Sequence, residues 1–330
     1  MRWWAWAGGL VVLSLLLCGV GLSVGSTGWS PPWQAHDDPL AWQIAWDIRA
    51  PRCVGAWLAG ALLALSGAIA QGLFRNPLAD PYLLGSSSGA ALGVALFLTL
   101  VGVSPMATDI MVRLGLTGAA FAGAVLAVLL TLVLSTGVQH TLRLLLAGVV
   151  VGVVLGACTS LILLLSPDSL QAMQAFLLGS TGFVGWTSCL LLLAVWLPCW
   201  LVAWALSRAL DALALGESTA HSLGLPLAQQ RAALVVVLAL ATGTAVAQTG
   251  LIAFVGLAAP HLVRAAVRVT HGRLMLLASL MGGALLCAAD LLARGLLAPQ
   301  ELPVGVLTAV LGGGYLLWLM HRKTAAGGGL

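Results

Sequence analysis

Only one short segment of the sequence matches a catalytic pattern. The run GSSSG at 85–89 fits G-x-S-x-G, the nucleophile elbow of serine hydrolases, in which a sharp turn between a strand and a helix exposes the serine oxygen. Here a proline-containing loop leads directly into an apolar run, so the pattern lacks the required strand. No H-E-x-x-H is present, and four of the six histidines lie scattered in connecting segments without metal-ligand spacing: His140, His221, His261 and His271. The sequence therefore predicts no catalytic residue and no metal site, and a membrane enzyme has only the GSSSG match in its favour.

The sequence also contains no ATP-binding signature. A P-loop needs a Gly-Lys pair, and the single lysine, Lys323, follows Arg322. We therefore expect no cofactor in this chain. Any ATP-driven work would use ATP and Mg bound by a separate ATPase subunit.

Three arginines lie at the outer ends of predicted spans, where the positive-inside rule disfavours basic residues: Arg49, Arg52 and Arg294. An outward basic cluster of this kind can bind carboxylates on an external partner. The other interpretation is that these arginines snorkel or pair internally with Asp47, Asp290 and Glu301.

One polar stretch, Leu215–Pro226, is long enough for a surface helix between membrane spans. Glu217 suits the positive end of a short helix, and Leu223 supplies an apolar contact. Gly224 followed by Pro226 is a typical stop signal. We interpret the stretch as an exposed docking helix, and an ordinary linker is the alternative.

These segments must be positioned by membrane helices. The chain has 330 residues, of which 61% are hydrophobic and only 7% charged, whereas a soluble domain carries about a quarter charged residues. The net charge of +4 is small and does not indicate nucleic-acid binding. The six cysteines lie in or beside apolar runs without a CxxC pair, which is typical of packing residues.

Apolar runs long enough to cross a bilayer, about 20 residues each, predict an all-α integral membrane protein with about ten transmembrane helices. The first run is longer than the apolar region of a usual signal peptide and carries an interfacial tryptophan belt, so we expect it to be retained. The distribution of arginine predicts that both termini are cytoplasmic. The predicted spans are 3–24, 50–73, 83–103, 112–135, 142–165, 188–206, 231–250, 258–270, 274–296 and 304–320.

The chain also contains an internal repeat. GAIAQGLFRNPLADPYLL at 67–84 matches the pattern of TAVAQTGLIAFVGLAAPHLV at 244–263. The two copies begin an odd number of crossings apart, which predicts two inverted four-helix repeats, 50–165 and 229–322, within one permease domain at 1–330. Glycines at every fourth position predict close helix packing on the third and fifth spans. They are Gly85, Gly89 and Gly93, and Gly148, Gly152 and Gly156.

Longer runs of residues resemble a known family along nearly the whole chain. The chain is similar to the FecCD-type permeases, the membrane subunits of type II ABC importers for iron siderophores, haem and vitamin B12. The runs that carry the resemblance are IRAPR at 48–52, SGAIAQGLFRNPLADPYLLGSSSGAALG at 66–93, RLLLAGV at 143–149, LALGESTAHSLGLP at 213–226, GLIAFVGLAAPHLVR at 250–264 and ADLLARGLLAPQELPVGVLTAVLG at 289–312.

The resemblance implies a homodimer in the bacterial inner membrane, joined to two cytoplasmic ATPase subunits and served by a periplasmic substrate-binding protein. It places the binding-protein contacts on Arg49, Arg52 and Arg294, and the pathway and gate on Ser88, His140, Thr141, Gly148 and Gly152. The ATPase-coupling helix would comprise Gly216, Glu217, Ser218, Thr219, Ala220, His221, Ser222, Leu223 and Gly224.

The function expected from these observations is import of haem or another iron chelate by alternating access. A vitamin B12 permease of the same family is the first alternative. An ATP-independent secondary transporter is the second, and it should carry acidic or histidine residues at mid-membrane. Asp290 is the only acid deep in a predicted span.

Overall fold

The computed structural model describes residues 3–25, 28–31, 39–102, 110–135, 141–222 and 224–326. Nearly all of them are helical. The helices are α1 (Trp3–Ser23), α2 (Pro39–Ile44), α3 (Ala50–Leu73), α4 (Ser86–Val101), α5 (Ile110–Leu134), α6 (Thr141–Leu165), α7 (Leu170–Leu178), α8 (Trp186–Ala205), α9 (Ser207–Ala214), α10 (Glu217–Ser222), α11 (Leu227–Thr249), α12 (Val255–Ala266), α13 (His271–Gly295) and α14 (Val304–Ala326).

Each of the ten predicted spans coincides with one of these helices, which confirms the all-α membrane fold. Within the described ranges, seven helices are long and apolar enough to cross a bilayer, and α4 and the part of α14 at Val304–Trp318 are shorter apolar helices. The span predicted at 258–270 differs most from the structure. Its helix, α12, has 12 residues, which at about 1.5 Å per residue crosses little more than half of the hydrocarbon core.

Several short elements were not predicted, because each is too short to give a hydropathy signal. Helix α7 fills part of the connection between α6 and α8, and α9 precedes α10. A π-helical turn at Ala45–Arg49 joins α2 to α3, so that Pro39–Leu73 forms one apolar helical run of 35 residues. Two residues at Val24–Gly25 (β1) pair antiparallel with Gly28–Trp29 (β2).

Helix α3 lies at the centre of the protein, and almost all of its residues are buried. Its glycines allow other helices to approach at backbone distance: a Cβ on Gly60 would collide with the Gly282 carbonyl of α13, and one on Gly67 with the Gly256 carbonyl of α12. Such close contacts hold membrane helices together, because in lipid there is no hydrophobic driving force for helix association.

The glycine prediction is confirmed for α4 and only partly for α6. A Cβ on Gly89 would meet the backbone of α5, as would one on Gly93. On α6, a Cβ on Gly148 would collide with the Leu83 carbonyl, but nothing lies within 4 Å of the position at Gly156. Within this single chain, the prediction of close packing at Gly156 is therefore wrong, because this position faces away from the other described helices.

Helix α1 begins, and helix α14 ends, at the same face of the protein. Arg273 at the start of α13 lies 5.3 Å from the ring of Trp3, and Gly21 lies beside Arg294 at the other end of α13, so α1 and α13 are parallel. Helix α14 runs alongside α12 from Phe254 toward the face where α13 begins. We call this the inner face and the opposite one the outer face. The cytoplasmic location of the inner face stays a prediction.

Candidate functional site

The predicted docking helix is present at the inner face as α10. Gly216 enters it with a positive φ of 114°, and Gly224 follows it with a positive φ of 71°. Both values suit glycine, which has no side chain to clash there. Ser218, Thr219 and Ser222 are exposed, whereas Ala220 is buried against the protein. Leu223 lies outside the described residues, as does the side chain of His221. A short helix with one buried side and one exposed side is available to a partner, although the docking role itself stays a prediction.

Glu217 connects α10 to the membrane helices. Its Oε1 atom accepts a hydrogen bond from Arg231 of α11 at 2.6 Å, and Arg231 is itself buried. The same oxygen lies 3.8 Å from Arg75, just after the end of α3. A charge-assisted contact to a buried arginine is stronger than an ordinary surface pair. The docking helix is therefore fixed to α11 by the residue that begins it.

Helix α3 ends in a non-helical connection that leads to α4. The connection includes a short 3-10 turn at Pro81–Leu84, where the Asp80 side chain accepts a hydrogen bond from the Tyr82 amide at 2.8 Å. Burial raises the pKa of the Asp80 carboxyl, against the opposing effect of that amide. Gly85 then takes a positive φ of 81° and α4 begins. A 3-10 turn stands where a nucleophile elbow would have a strand, so the GSSSG motif lacks the required context.

Three predicted pathway residues lie together where α4 crosses α6. Gly148 packs against the backbone of Leu83 and Leu84, and a Cβ on Gly152 would lie 3.6 Å from the Ser88 hydroxyl. Thr141 begins α6; its side chain lies outside the described part of the chain, as does His140. One face of α6 is exposed in the single chain. An exposed face beside a close helix crossing suits a second subunit or a translocation path, and the role of these residues stays a prediction.

The 3-10 turn before α4 and the break before α12 meet inside the protein. The Tyr82 hydroxyl donates to the Ile252 carbonyl at 3.0 Å. The segment between α11 and α12 is also bonded to the end of α7, because Leu251 donates to the Phe176 carbonyl at 3.0 Å. Irregular backbone at membrane depth is tolerated only inside protein or beside a water-filled cavity. Discontinuous helices that meet in this way are typical of transporters.

A group of charges lies at the outer face, and we call it the outer ion cluster: the buried Arg52, Asp290 and Arg294, and the partly exposed Glu301. Asp290 is at its centre, with the Arg52 guanidinium at 2.9 Å from Oδ1 and the Arg294 guanidinium at 2.7 Å from Oδ2. The Thr181 hydroxyl also donates to Asp290. Arg52 reaches outward to Glu301 at 2.9 Å. Two arginines balance two acids, so the buried charge is compensated.

The outer ion cluster changes the interpretation of the predicted docking arginines. Arg294 is 2% exposed and Arg52 is 9% exposed, and both are paired internally. Arg49 is partly exposed and donates to the Ser30 carbonyl at 2.9 Å. The structure thus forms the internal pairs with Asp290 and Glu301, whereas Asp47 is exposed. Contact of the three arginines with a binding protein stays a prediction.

Other polar contacts at the inner face escaped the sequence analysis. Arg264 of α12 contacts the Gln71 side chain of α3, and Gln71 also donates to the Leu257 carbonyl at 3.0 Å. Asp211 of α9 accepts a hydrogen bond from the backbone amide of His271, at the start of α13, at 3.0 Å. The only available signal was a polar residue inside an apolar run, which indicates that a partner exists without identifying it.

Comparison with known proteins agrees with this architecture. Residues 10–322 match the model of the FecCD transport family. The chain is 38% identical over 317 residues to the hemin transport system permease protein HmuU of Yersinia pestis, covering 95% of this chain and 93% of the relative. It is 40% identical over 329 residues to the vitamin B12 import system permease protein BtuC of Klebsiella pneumoniae, covering 98% and 95%.

Solved structures have the same fold. One, described as an inward-facing conformation of a metal-chelate type ABC transporter, superposes with a TM-score of 0.84 at 29% identity, covering 97% of this chain and 100% of that chain. PsaBC from Streptococcus pneumoniae, in complex with Fab, superposes with a TM-score of 0.57 at 18% identity, covering 81% and 88%. A family match across nearly the full length, with relatives above one third identity, leaves one assignment: the chain belongs to the FecCD transport family.

Proposed function

We propose that this chain is the membrane permease subunit of an ABC importer that carries haem or another iron chelate from the periplasm to the cytoplasm. The observation that carries the proposal is α10, a short exposed helix fixed by Glu217 to the buried Arg231 of α11. Such a helix can pass a movement of an attached ATPase to the membrane helices. The similarity to a hemin permease and to a metal-chelate transporter structure supports the same function.

The proposed assembly is a homodimer in the bacterial inner membrane with two cytoplasmic ATPase subunits and a periplasmic binding protein. ATP and Mg would be bound by the ATPase subunits alone. The exposed face of α6 suits an isologous contact with a second copy around a central path. Arg49 and the outward side of Arg52 suit carboxylates of the binding protein. In this assembly the chain performs no covalent chemistry.

Vitamin B12 is the second candidate substrate, favoured by the relative that is 40% identical. Haem, a ferric siderophore and cobalamin differ in charge and shape, so one experiment separates them. The chain, its ATPase and its binding protein would be reconstituted in liposomes and supplied with each ligand in turn. We expect uptake and stimulated ATP hydrolysis with haem. Stimulation by cobalamin alone would transfer the assignment to vitamin B12.

A proton- or sodium-coupled secondary transporter needs an acid at mid-membrane that is free to change its charge. Asp290, the one candidate from the sequence, is 1% exposed and held between two arginines. An acid fixed in this way is a structural centre rather than a coupling site. Uptake that depends on an ion gradient and needs no ATPase would nevertheless overturn the importer proposal.

A further inference from the structure

Arg75 has an unusual backbone conformation at the inner end of α3. Its φ is 49°, in the left-handed region that glycine enters freely and other residues rarely adopt. Helices commonly end with a glycine in this conformation, because any Cβ is strained there. Glycine would therefore suit the backbone better than arginine at this position.

The Arg75 side chain gives little stability in return for that strain. Its guanidinium lies 3.8 Å from Oε1 of Glu217, and the arginine side chain is 44% exposed. Exposed ion pairs of this geometry contribute almost nothing to folding. The Arg231 contact with the same oxygen, at 2.6 Å, already fixes Glu217 to α11. The Arg75 side chain should therefore contribute little to folding, yet it links the docking helix to the end of α3.

Hydrogen bonds between residues two or three positions apart hold the chain that follows Arg75. The Asn76 side chain accepts from the Leu78 amide at 2.9 Å, and the Asn76 carbonyl accepts from Ala79 at 3.1 Å. The Asp80 carbonyl then accepts from Leu83 at 3.2 Å. Each turn restrains the next, so a displacement at Arg75 is passed along 76–85 rather than absorbed as in an unstructured linker.

This connection ends against the helices that line the proposed path. The Thr131 hydroxyl of α5 donates to the Leu84 carbonyl at 3.0 Å, and Gly148 of α6 packs on the backbone of Leu83 and Leu84. Gly85 follows immediately and begins α4. The segment 76–85, together with Arg75, therefore connects the docking helix to α4, α5 and α6 by a route that does not include α11.

We propose that Arg75 is a positioning residue that transmits movement of α10 to the crossing of α4 and α6. Glu217 supplies the contact on α10, and Arg75 carries it to the connection 76–85. The inference rests on the proposed importer function, because it assumes that a bound ATPase moves α10. It predicts that the side chain of Arg75 matters for coupling and hardly at all for folding.

The test uses Arg75→Gly, which removes the side chain and relieves the backbone strain. Wild type, Arg75→Gly and the charge-retaining Arg75→Lys would each be reconstituted in liposomes with the ATPase and the binding protein. Arg268→Ala serves as the matched control, because Arg268 is an exposed arginine on the connection between α12 and α13 at the same face. The measurements are Tm, the amount of ATPase bound and the substrate transported per ATP hydrolysed.

We expect Arg75→Gly to keep or raise the Tm and to bind the ATPase, while substrate transported per ATP falls at least about fivefold, the lower range of allosteric coupling. Arg75→Lys should restore most of the ratio, and Arg268→Ala should keep the wild-type ratio. An unchanged ratio in Arg75→Gly would overturn the inference alone. A Tm loss that matches the transport loss would assign Arg75 a merely structural role and overturn it too. A wild-type chain that neither binds an ATPase nor transports would overturn the proposed function and this inference together.

Discussion

Neutralising Asp290 should destabilise the protein far more than neutralising Glu301 at the same face. Asp290 is 1% exposed; its Oδ1 atom accepts hydrogen bonds from Arg52 and Thr181, and its Oδ2 atom forms an ion pair with Arg294 at 2.7 Å. Asparagine has nearly the same shape, so Asp290→Asn removes the charge without opening a cavity. Arg52 would keep Glu301 at 2.9 Å. Arg294 would retain only uncharged acceptors, such as the Val24 carbonyl at 3.0 Å and the Cys53 sulfur at 3.6 Å.

The size of the effect follows from leaving Arg294 charged and buried. Removing one partner of a buried ion pair costs about 3–5 kcal/mol. At about 2 °C per kcal/mol for a chain of this size, the Tm should fall by about 6–10 °C. The matched control is Glu301→Gln, since the Glu301 side chain is 33% exposed and its pair should be worth about 0–1 kcal/mol.

The unfolding assay can use the protein's own thiols. Cys53, Cys189, Cys199 and Cys287 are free and buried, so a thiol-reactive fluorescent dye reports their exposure on heating in detergent. We expect Asp290→Asn to melt well below Glu301→Gln, with Glu301→Gln within about 2 °C of wild type. Equal melting of wild type and Asp290→Asn would show that Asp290 does not hold the two arginines, and would refute the described role of the outer ion cluster.

Three further predictions concern the other sites. Gly148→Leu should lower the Tm and abolish transport, because the leucine side chain would collide with the Leu83 backbone. Gly152→Leu should have a smaller effect, because the nearest atom to a Cβ at that position, the Ser88 hydroxyl, is 3.6 Å away. A larger effect of Gly152→Leu than of Gly148→Leu would contradict this packing. Glu217→Arg combined with Leu223→Asp should leave the chain in the membrane but prevent ATPase binding, which copurification measures; normal binding would remove the docking role from α10. Arg52→Glu should lower binding-protein affinity most at low salt, and a loss of stability with unchanged affinity would limit Arg52 to internal pairing.

The membrane spans could be predicted from sequence because lipid imposes one simple requirement, about 20 apolar residues for each crossing. Helix α12 departs from this rule. It contains Pro260 and has only 12 residues, and the Tyr82 hydroxyl donates to the Ile252 carbonyl in the break before it. The donor of this hydrogen bond, Tyr82, lies 170 positions before Ile252 in the sequence. A hydropathy profile cannot show it.

The docking helix was also predictable, since a polar run between glycines is a local signal. The partners of its first residue were not. Glu217 contacts Arg75 and Arg231, and nothing in the spacing of these residues selects them from the other arginines. The same holds for the outer ion cluster, in which Arg52 and Asp290 are 238 positions apart. Charge and location predicted that Arg52 needs a partner, and both the internal acid and an external carboxylate satisfied that need equally well.

The contacts of Arg52 are compatible with both internal pairing and contact with a binding protein. Its Nε atom donates to the deeply buried Asp290 at 3.0 Å, while its Nη1 atom pairs with the partly exposed Glu301 at 2.9 Å. A carboxylate from a binding protein can replace only the second of these contacts, because the first is closed to solvent. Docking at Arg52 would then exchange one carboxylate for another at the rim and leave Asp290 paired. Glu301→Gln should therefore increase the affinity for the binding protein, because it removes the competing carboxylate. Asp290→Asn should instead lower the Tm of the protein without a selective effect on that affinity.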